Sequence, residues 1–370
     1  MALTIDASLI STLLNVIYIG SFVAFFLYGQ RFQLAFMQRG IKGQISKLDQ
    51  VQVAAKARFV DSLKKFRGAE DLGSLNTSVE RLMGSFVISP VNMDPSGIVP
   101  KMEHIVDSAD ENLKAEVRRM APLASESDVQ TLSNVAEIAI GLNNMYKIVR
   151  HFYILGTKPG GTYSIIQLQM LMPQLMEAAE AYSSAMSAFV AGRTLGDGFG
   201  PLVAAELASS ASTPVTWNET VKDTEVAKLD FQNHMTYIVK AKGPGGKVGK
   251  PGAAIQKLLQ EDPTIKYVMT VDAALKLEGE DTGSLAEGIG AAIGGPGMDR
   301  FRIEESASSN QVELLAFVAK MSDKEAITEI PQAVKDRVPS TVERIRGLIS
   351  GLPEGASVIV AGIGNTMGVA

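Results

Sequence analysis

No cysteine occurs anywhere in the 370 residues. That removes disulfides, thiolate metal sites and cysteine nucleophiles. Histidine is nearly as scarce: His104, His151 and His234 are the whole set, too few for a multi-histidine metal centre. There is no excess of positive charge either. Lys and Arg number 35 against 40 Asp and Glu, for a net charge of −5, which argues against a dedicated nucleic-acid surface. The chain shows no periodic repeat and no long low-complexity tract. At this length it can hold two or three units with their own cores.

What is present begins with "LISTLLNVIYIGSFVAFFLY", residues 9–28, twenty residues without a charge. A helix of that length spans roughly 30 Å of hydrocarbon. Asp6 precedes it, and Arg31, Arg39, Lys42, Lys47 and Lys56 follow. A transmembrane anchor over 1–30 is therefore expected. The positive-inside rule places its N-terminus outside and residues 31–370 in the cytoplasm, as a single-pass protein of the cell membrane.

Residues 31–100 read as an amphipathic helix and a connector. Ile45, Leu48, Ala55, Phe59, Leu63 and Phe66 fall at helical spacing, and "SPVNMDPSGIVP" (89–100) breaks regular structure with three prolines. From 101 to 195 the pattern is helical throughout. Helices are expected over 100–122, 127–155 and 162–192, the last Met-rich with Pro173 inside it.

After 196 short apolar runs alternate with helical stretches. "MTYIVKA" (235–241), "IKYVMTVDA" (265–273), "VELLAFVAK" (312–320) and "ASVIVAG" (356–362) read as buried strands. Residues 250–262 and 339–351 read as helices, the second with Ser340 and Glu343 as a capping box. The expected fold is α/β: an N-terminal transmembrane helix, an all-α middle domain, and a C-terminal, mostly parallel sheet with flanking helices in three layers, over 196–370.

In such sheets ligands sit beyond the carboxyl ends of the strands, so the strand exits are the places to search. One exit is "KGPGGKVGKPG" (242–252). It departs from a phosphate-binding loop at Pro244 and Pro251, where a glycine and a hydroxyl are needed. Lys242, Gly245, Gly246 and Lys247 read either as an anion-holding nest or as a plain connection to a helix that Pro251 starts. A second exit is Asp272, with Lys276 behind it. Its carboxylate either faces the crevice, where low dielectric raises its pKa, or caps a helix. A third is "GIGN", with Gly362, Gly364 and Asn365. Asp197 lies among Gly196, Gly198 and Gly200 ahead of a helix. It is either a site carboxylate that the backbone can approach closely or part of a linker turn. The glycine-rich 286–300 reads as a cover over a pocket or as a close-packed turn. Two carboxylates at one crevice can share a proton and activate water, or hold a divalent cation. A Ser-His-Asp triad is disfavoured, because His234 precedes its strand.

"GIGN" after a strand, "DGFGP" opening a helix and a strand ending in "VDA" resemble the motifs of germination protease-like and hydrogenase-maturation-endopeptidase-like proteins. Their order here is that of a circular permutation, with the first strand moved to the end. The resemblance implies that Asp197 and Asp272 are the acid pair of a peptidase-like domain. In the hydrogenase-maturation type they would be nickel ligands completed by a later histidine, and no histidine follows His234. "MYKIVRHFYILG", "GDGFGPLVA", "KAKGPGGKVGKPG" and "DAALKLEGE" also resemble signature stretches of an uncharacterised archaeal family. That family implies archaeal origin and supplies no activity. The expectation is a hydrolase-like protein at the membrane; the alternative is a non-catalytic module that binds a ligand or partner. The expected partners are the membrane at 9–28 and a peptide or small anionic ligand. Nucleic acid is not among them, and self-association into a homo-oligomer is allowed. No cofactor is identified.

Overall fold

A computed structural model describes residues 7–67, 72–86, 97–211, 214–295 and 297–369. Most of the proline-rich connector expected over 89–100 lies outside them. By contacts the chain divides into two compact units, Met1–Val53 with Leu142–Ala179, and Ala54–Gly141 with Glu180–Ala370.

The helices of the first half are α1 (Ala7–Lys64), α2 (Leu72–Met83), α3 (Ile98–Met120), α4 (Glu126–Gly156) and α5 (Thr162–Ala191). Parts of α1, α4 and α5 build the first unit, where Ile41, Leu48, Val149, Ile165 and Met172 are buried. Among the described residues no helix is long and apolar enough to cross a membrane. This corrects the transmembrane anchor expected over 9–28. Those residues are not an element of their own. They open α1, which continues through Arg31, Arg39, Lys42 and Lys47, and Ser11, Thr12, Asn15 and Ser21 interrupt their apolar run.

In the second unit Ala55, Phe59 and Leu63 bury one edge of α1 at four-residue spacing. The rest is a three-layer α/β arrangement. Its strands are β1 (Asn218–Val221), β2 (Thr224–Phe231), β3 (His234–Ala241), β4 (Ile265–Leu275), β5 (Leu285–Ile289), β6 (Glu313–Met321) and β7 (Ser357–Gly362). They form one seven-stranded sheet in the order β1-β2-β3-β7-β4-β6-β5. The helices are α6 (Phe199–Ser209), α7 (Pro251–Glu261), α8 (Met298–Asn310), α9 (Asp323–Ile327), α10 (Gln332–Lys335) and α11 (Val338–Ser350).

The sheet is mixed rather than mostly parallel. β3, β7, β4 and β6 run parallel, whereas β1, β2 and β5 are antiparallel to their neighbours. The cause is local. β2 and β3 are joined by Gln232 and Asn233, both with positive φ (54° and 67°), which is the two-residue hairpin turn that returns a strand beside itself. Charged, half-exposed sequences hide β1 and β2 from an apolar-run search.

The four parallel strands are where the continuous apolar runs lie, as expected for strands buried on both faces. β7 sits between β3 and β4 with all six residues buried. Val358 and Val360 join one cluster with Phe199, Val203 and Leu207 of α6 and Ile345 of α11. Ile359 and Ala361 join the opposite cluster with Ile255 and Leu258 of α7 and Ile303 of α8. One local expectation fails. The helix α11 starts at Val338, with Pro339 in its first turn and Arg337 as N-cap, so Ser340 lies inside it and donates to the Arg337 carbonyl. A capping box does form at α9, where Ser322 pairs with Glu325.

Candidate functional site

The carboxyl ends of β3, β7 and β4 lie side by side, and the segments leaving them bond to one another. Asp197 occupies a 3₁₀ turn, Gly196–Gly198, that leads into α6. Its Oδ2 accepts the Asn365 backbone N–H at 3.0 Å. Burial pushes its carboxyl above the ordinary range, and the Asn365 N–H opposes that. Asp272 ends the buried part of β4 and is 4% exposed. Its Oδ1 accepts from Ala273 N at 2.7 Å and its Oδ2 from Gly294 N at 3.1 Å. Burial raises its pKa well above the ordinary value, the charge of Asp197 raises it further, and the two N–H groups only partly offset this. The two aspartates are thus an interacting pair at one strand rim.

The segment 291–294 folds over that rim. Ala292 N donates to Thr270 Oγ1 at 2.9 Å, and Gly294 N holds Asp272. So the middle of the glycine-rich 286–300 does cover Asp272, while its start is the exposed edge strand β5.

The glycines serve packing rather than ligand approach. A Cβ on Gly200 would stand 2.2 Å from the Ile363 carbonyl oxygen and 2.3 Å from that of Val271. One on Gly362 would stand 2.3 Å from the Gly200 oxygen, one on Gly196 2.2 Å from the Glu325 oxygen, and one on Gly198 3.0 Å from the Asn365 oxygen. Gly364 has φ +125°, and its Cβ would meet the Asp197 oxygen at 1.9 Å. The turn after β7 and the turn before α6 therefore interlock backbone to backbone, and this is possible only without side chains.

The β3 exit joins the same network. Gly246 O accepts from the side-chain amides of Asn365 (3.2 Å) and Asn134 (3.0 Å). Lys247 N donates to Thr366 Oγ1 at 3.1 Å, and Thr366 N donates to Lys247 O at 2.9 Å. Lys247 Nζ is paired with Asp223, on the β1–β2 turn. Burial pushes the Asp223 carboxyl up, but the Lys247 bond and the nearby lysines bring it below the ordinary value. Gly245 packs against Ser127, a Cβ there meeting Ser127 Oγ at 3.1 Å. Two expected ligand-binding lysines point elsewhere. Lys242 is paired with Glu219 at 2.6 Å on the surface. Lys276 lies beyond β4, where its charge acts on Glu325. His234 opens β3 at the far end of the sheet, hydrogen-bonded through Nδ1 to Ala356 O.

Beside this network is a cavity of about 600 Å³. Asn365, Gly246 and Lys247 line it, but neither aspartate of the pair does. Much of its wall comes from residues of α3, α4 and α5 within the stretch 101–195 expected to form a separate helical domain. Gln130, Asn134, Glu137 and Gly141 recur along one face of α4. These polar residues in an apolar helical run were the available signal. Among the described residues no group of three or more His, Asp or Glu side chains is placed to hold a metal ion.

Two family models match the chain. Residues 15–192 match the N-terminal domain of a protein of unknown function (DUF1512), and residues 195–370 match the C-terminal domain of unknown function (DUF1512). Comparison with curated proteins and with solved structures found no match.

Proposed function

The chain belongs to the DUF1512 family, and from the chemistry of its strand rim we propose that its C-terminal domain is a hydrolase of the peptidase-like type, with Asp197 and Asp272 as an acid–base pair. The observation that carries the reading is the burial of Asp272 beside the charge of Asp197, which raises its pKa well above that of a surface carboxylate. Two interacting carboxyls of this kind titrate as a unit, and the site favours a state in which they share one proton.

The roles follow from the two environments. Asp272, the more strongly raised, holds the proton. Asp197 is the base that takes a proton from water as the water oxygen attacks a carbonyl carbon. Asp272 then gives its proton to the leaving nitrogen as the carbon–nitrogen bond breaks. The Asn365 N–H keeps the Asp197 carboxylate oriented, and Ala273 and Gly294 do the same for Asp272. The permuted peptidase-like arrangement suggested by the motifs agrees with this, because the turn after β7 packs on the helix that Asp197 opens.

The test is cleavage of a degenerate peptide library by the full chain, read by mass spectrometry between pH 4 and 8. Wild type should release fragments; Asp197→Asn and Asp272→Asn should each lose most of that activity while keeping their circular dichroism spectra. A wild type that cuts nothing, or an Asp272→Asn variant that cuts as wild type does, refutes the reading. A second reading, ligand binding without catalysis, is favoured by one observation: the cavity opens at Asn365 and not at the aspartates.

A further inference from the structure

Every lysine that lines the cavity beside Asn365 is held in an ion pair. Lys114 is paired with Asp110 at 2.7 Å, Lys222 with Glu111 at 2.6 Å, Lys247 with Asp223, and Lys250 with Asp107 at 2.6 Å. The amide donors are engaged as well. Asn134 Nδ2 and Asn365 Nδ2 both donate to Gly246 O, which fills that carbonyl's two lone pairs. The Asn134 amide oxygen in turn accepts from Gln130 Nε2 at 3.3 Å.

The acceptors are not all used. Gln130 is 8% exposed, and its Oε1 has no partner. Glu137 stands exposed on the cavity wall, and it is the lining carboxylate that makes neither a hydrogen bond nor an ion pair among the described residues. Partial desolvation in the concave wall and the charge of Asp110 push its carboxyl up, against Lys114. An incoming positive charge would relieve both. Tyr182, Phe189 and Ile138 line the same cavity and give it aromatic and apolar surface. The Tyr182 hydroxyl can serve as donor or acceptor.

We propose that this cavity binds an organic cation, a protonated amine carried on an apolar body. An anion finds no unpaired lysine there. An ammonium group finds the Glu137 carboxylate unpaired, and the aromatic side chains in the lining suit both its charge and its apolar body. The volume of about 600 Å³ suits a small molecule or a few residues of peptide rather than a folded partner, since such pockets run from about 300 to 1,000 Å³. The inference is independent of hydrolysis at the aspartate pair, because neither aspartate lines the cavity.

Calorimetric titration of the full chain tests it with four probes: spermidine, phenylalanine amide, N-acetylphenylalanine amide and inorganic phosphate. At least one of the two amines should bind, and the acetylated compound and phosphate should not. Binding of spermidine alone identifies a free polyamine as the ligand type; binding of phenylalanine amide identifies a peptide amino terminus. Glu137→Gln should weaken the bound amine about tenfold or more, as loss of a charge-assisted bond requires. Glu137 has no protein partner to lose, so that variant should fold, and the acetylation comparison needs no variant at all. Binding of phosphate with no binding of either amine overturns the proposal. So does the absence of amine binding at millimolar concentration, or a folded Glu137→Gln that binds as wild type does.

Discussion

Replacing Gly200 by alanine adds one methyl group where α6 meets the ends of β4 and β7. The new carbon would stand 2.2 Å from Ile363 O, 2.3 Å from Val271 O and 2.6 Å from Ile363 N. All three are backbone atoms, so no side chain can rotate out of the way. Ordinary contact begins near 3.4 Å, so the elements must part by roughly 1 Å, a gap that forfeits up to about half of the packing attraction. Two of the three atoms are also the partners of a hydrogen bond, Ile363 N to Val271 O at 2.8 Å. Overpacking of this kind costs about 1–3 kcal/mol, and a weakened hydrogen bond adds about 1 kcal/mol. Helix propensity returns at most about 1 kcal/mol. The net expectation is a loss of about 1–4 kcal/mol, a large part of the roughly 5–15 kcal/mol that holds a domain together. Gly347 in α11 is the control. A Cβ there meets nothing within 4 Å, so Gly347→Ala should stabilise by about 0.5–1 kcal/mol. Urea unfolding of both variants and wild type measures the difference. If Gly200→Ala unfolds at or above the wild-type midpoint while Gly347→Ala behaves as expected, the interlock of the two glycine turns is refuted.

Removing residues 358–370 should unfold the C-terminal domain rather than trim it. Val358, Ile359, Val360 and Ile363 are all buried at about 1.5–3 kcal/mol each, and β3 and β4 would lose their shared neighbour; a truncated chain with a cooperative wild-type melt would contradict this. Stability should fall as pH rises from about 4 through the raised pKa of Asp272. The folded state binds the extra proton in that window, and the slope from one carboxyl reaches about 1.4 kcal/mol per pH unit. Asp197 and Asp299, whose carboxyls burial also raises, act in the same direction. Asp272→Asn should therefore flatten the profile only in part, and an unchanged slope in urea titrations from pH 4 to 8 would show that the group is not held up.

The strands 235–241, 265–273, 312–320 and 356–362 were legible because a strand covered on both faces needs an unbroken apolar run. β1 and β5 were not, because they are short and contain no buried residue, and β2 was not, because Glu225, Lys228 and Asp230 break its apolar run. "NETV" and "LAEGI" carry no pattern that a loop would not also carry. The aspartates were legible by position, at strand ends and helix starts. The lysines were not, because whether a cation faces a site depends on which carboxylate folding brings to it. Lys242 meets Glu219 and Lys247 meets Asp223, and both carboxylates come from the hairpin that had not been foreseen. The cavity escaped for a related reason. Half of its wall is α3, α4 and α5, which look from their periodicity like members of a separate helical domain.

Glycine shows most clearly what composition leaves undetermined. A run such as "GDGFG" is compatible with a backbone that approaches a ligand and equally with one that approaches another backbone. The two cases differ only in what lies within 3 Å of the missing Cβ. Here it is the chain itself: Ile363 and Val271 against Gly200, Asp197 against Gly364, Gly200 against Gly362. A strand, glycine turn and helix need not be consecutive in sequence to form one unit, because packing and not connectivity joins them. β7 finds its helix in α6, and the tightness of that joint is what sets the Asn365 N–H against Asp197. The placement of the two carboxyls therefore depends on glycines that contribute no side chain of their own. On the hydrolase reading proposed above, Gly200→Ala should for that reason lower peptide cleavage as well as stability, in the same direction as Asp197→Asn.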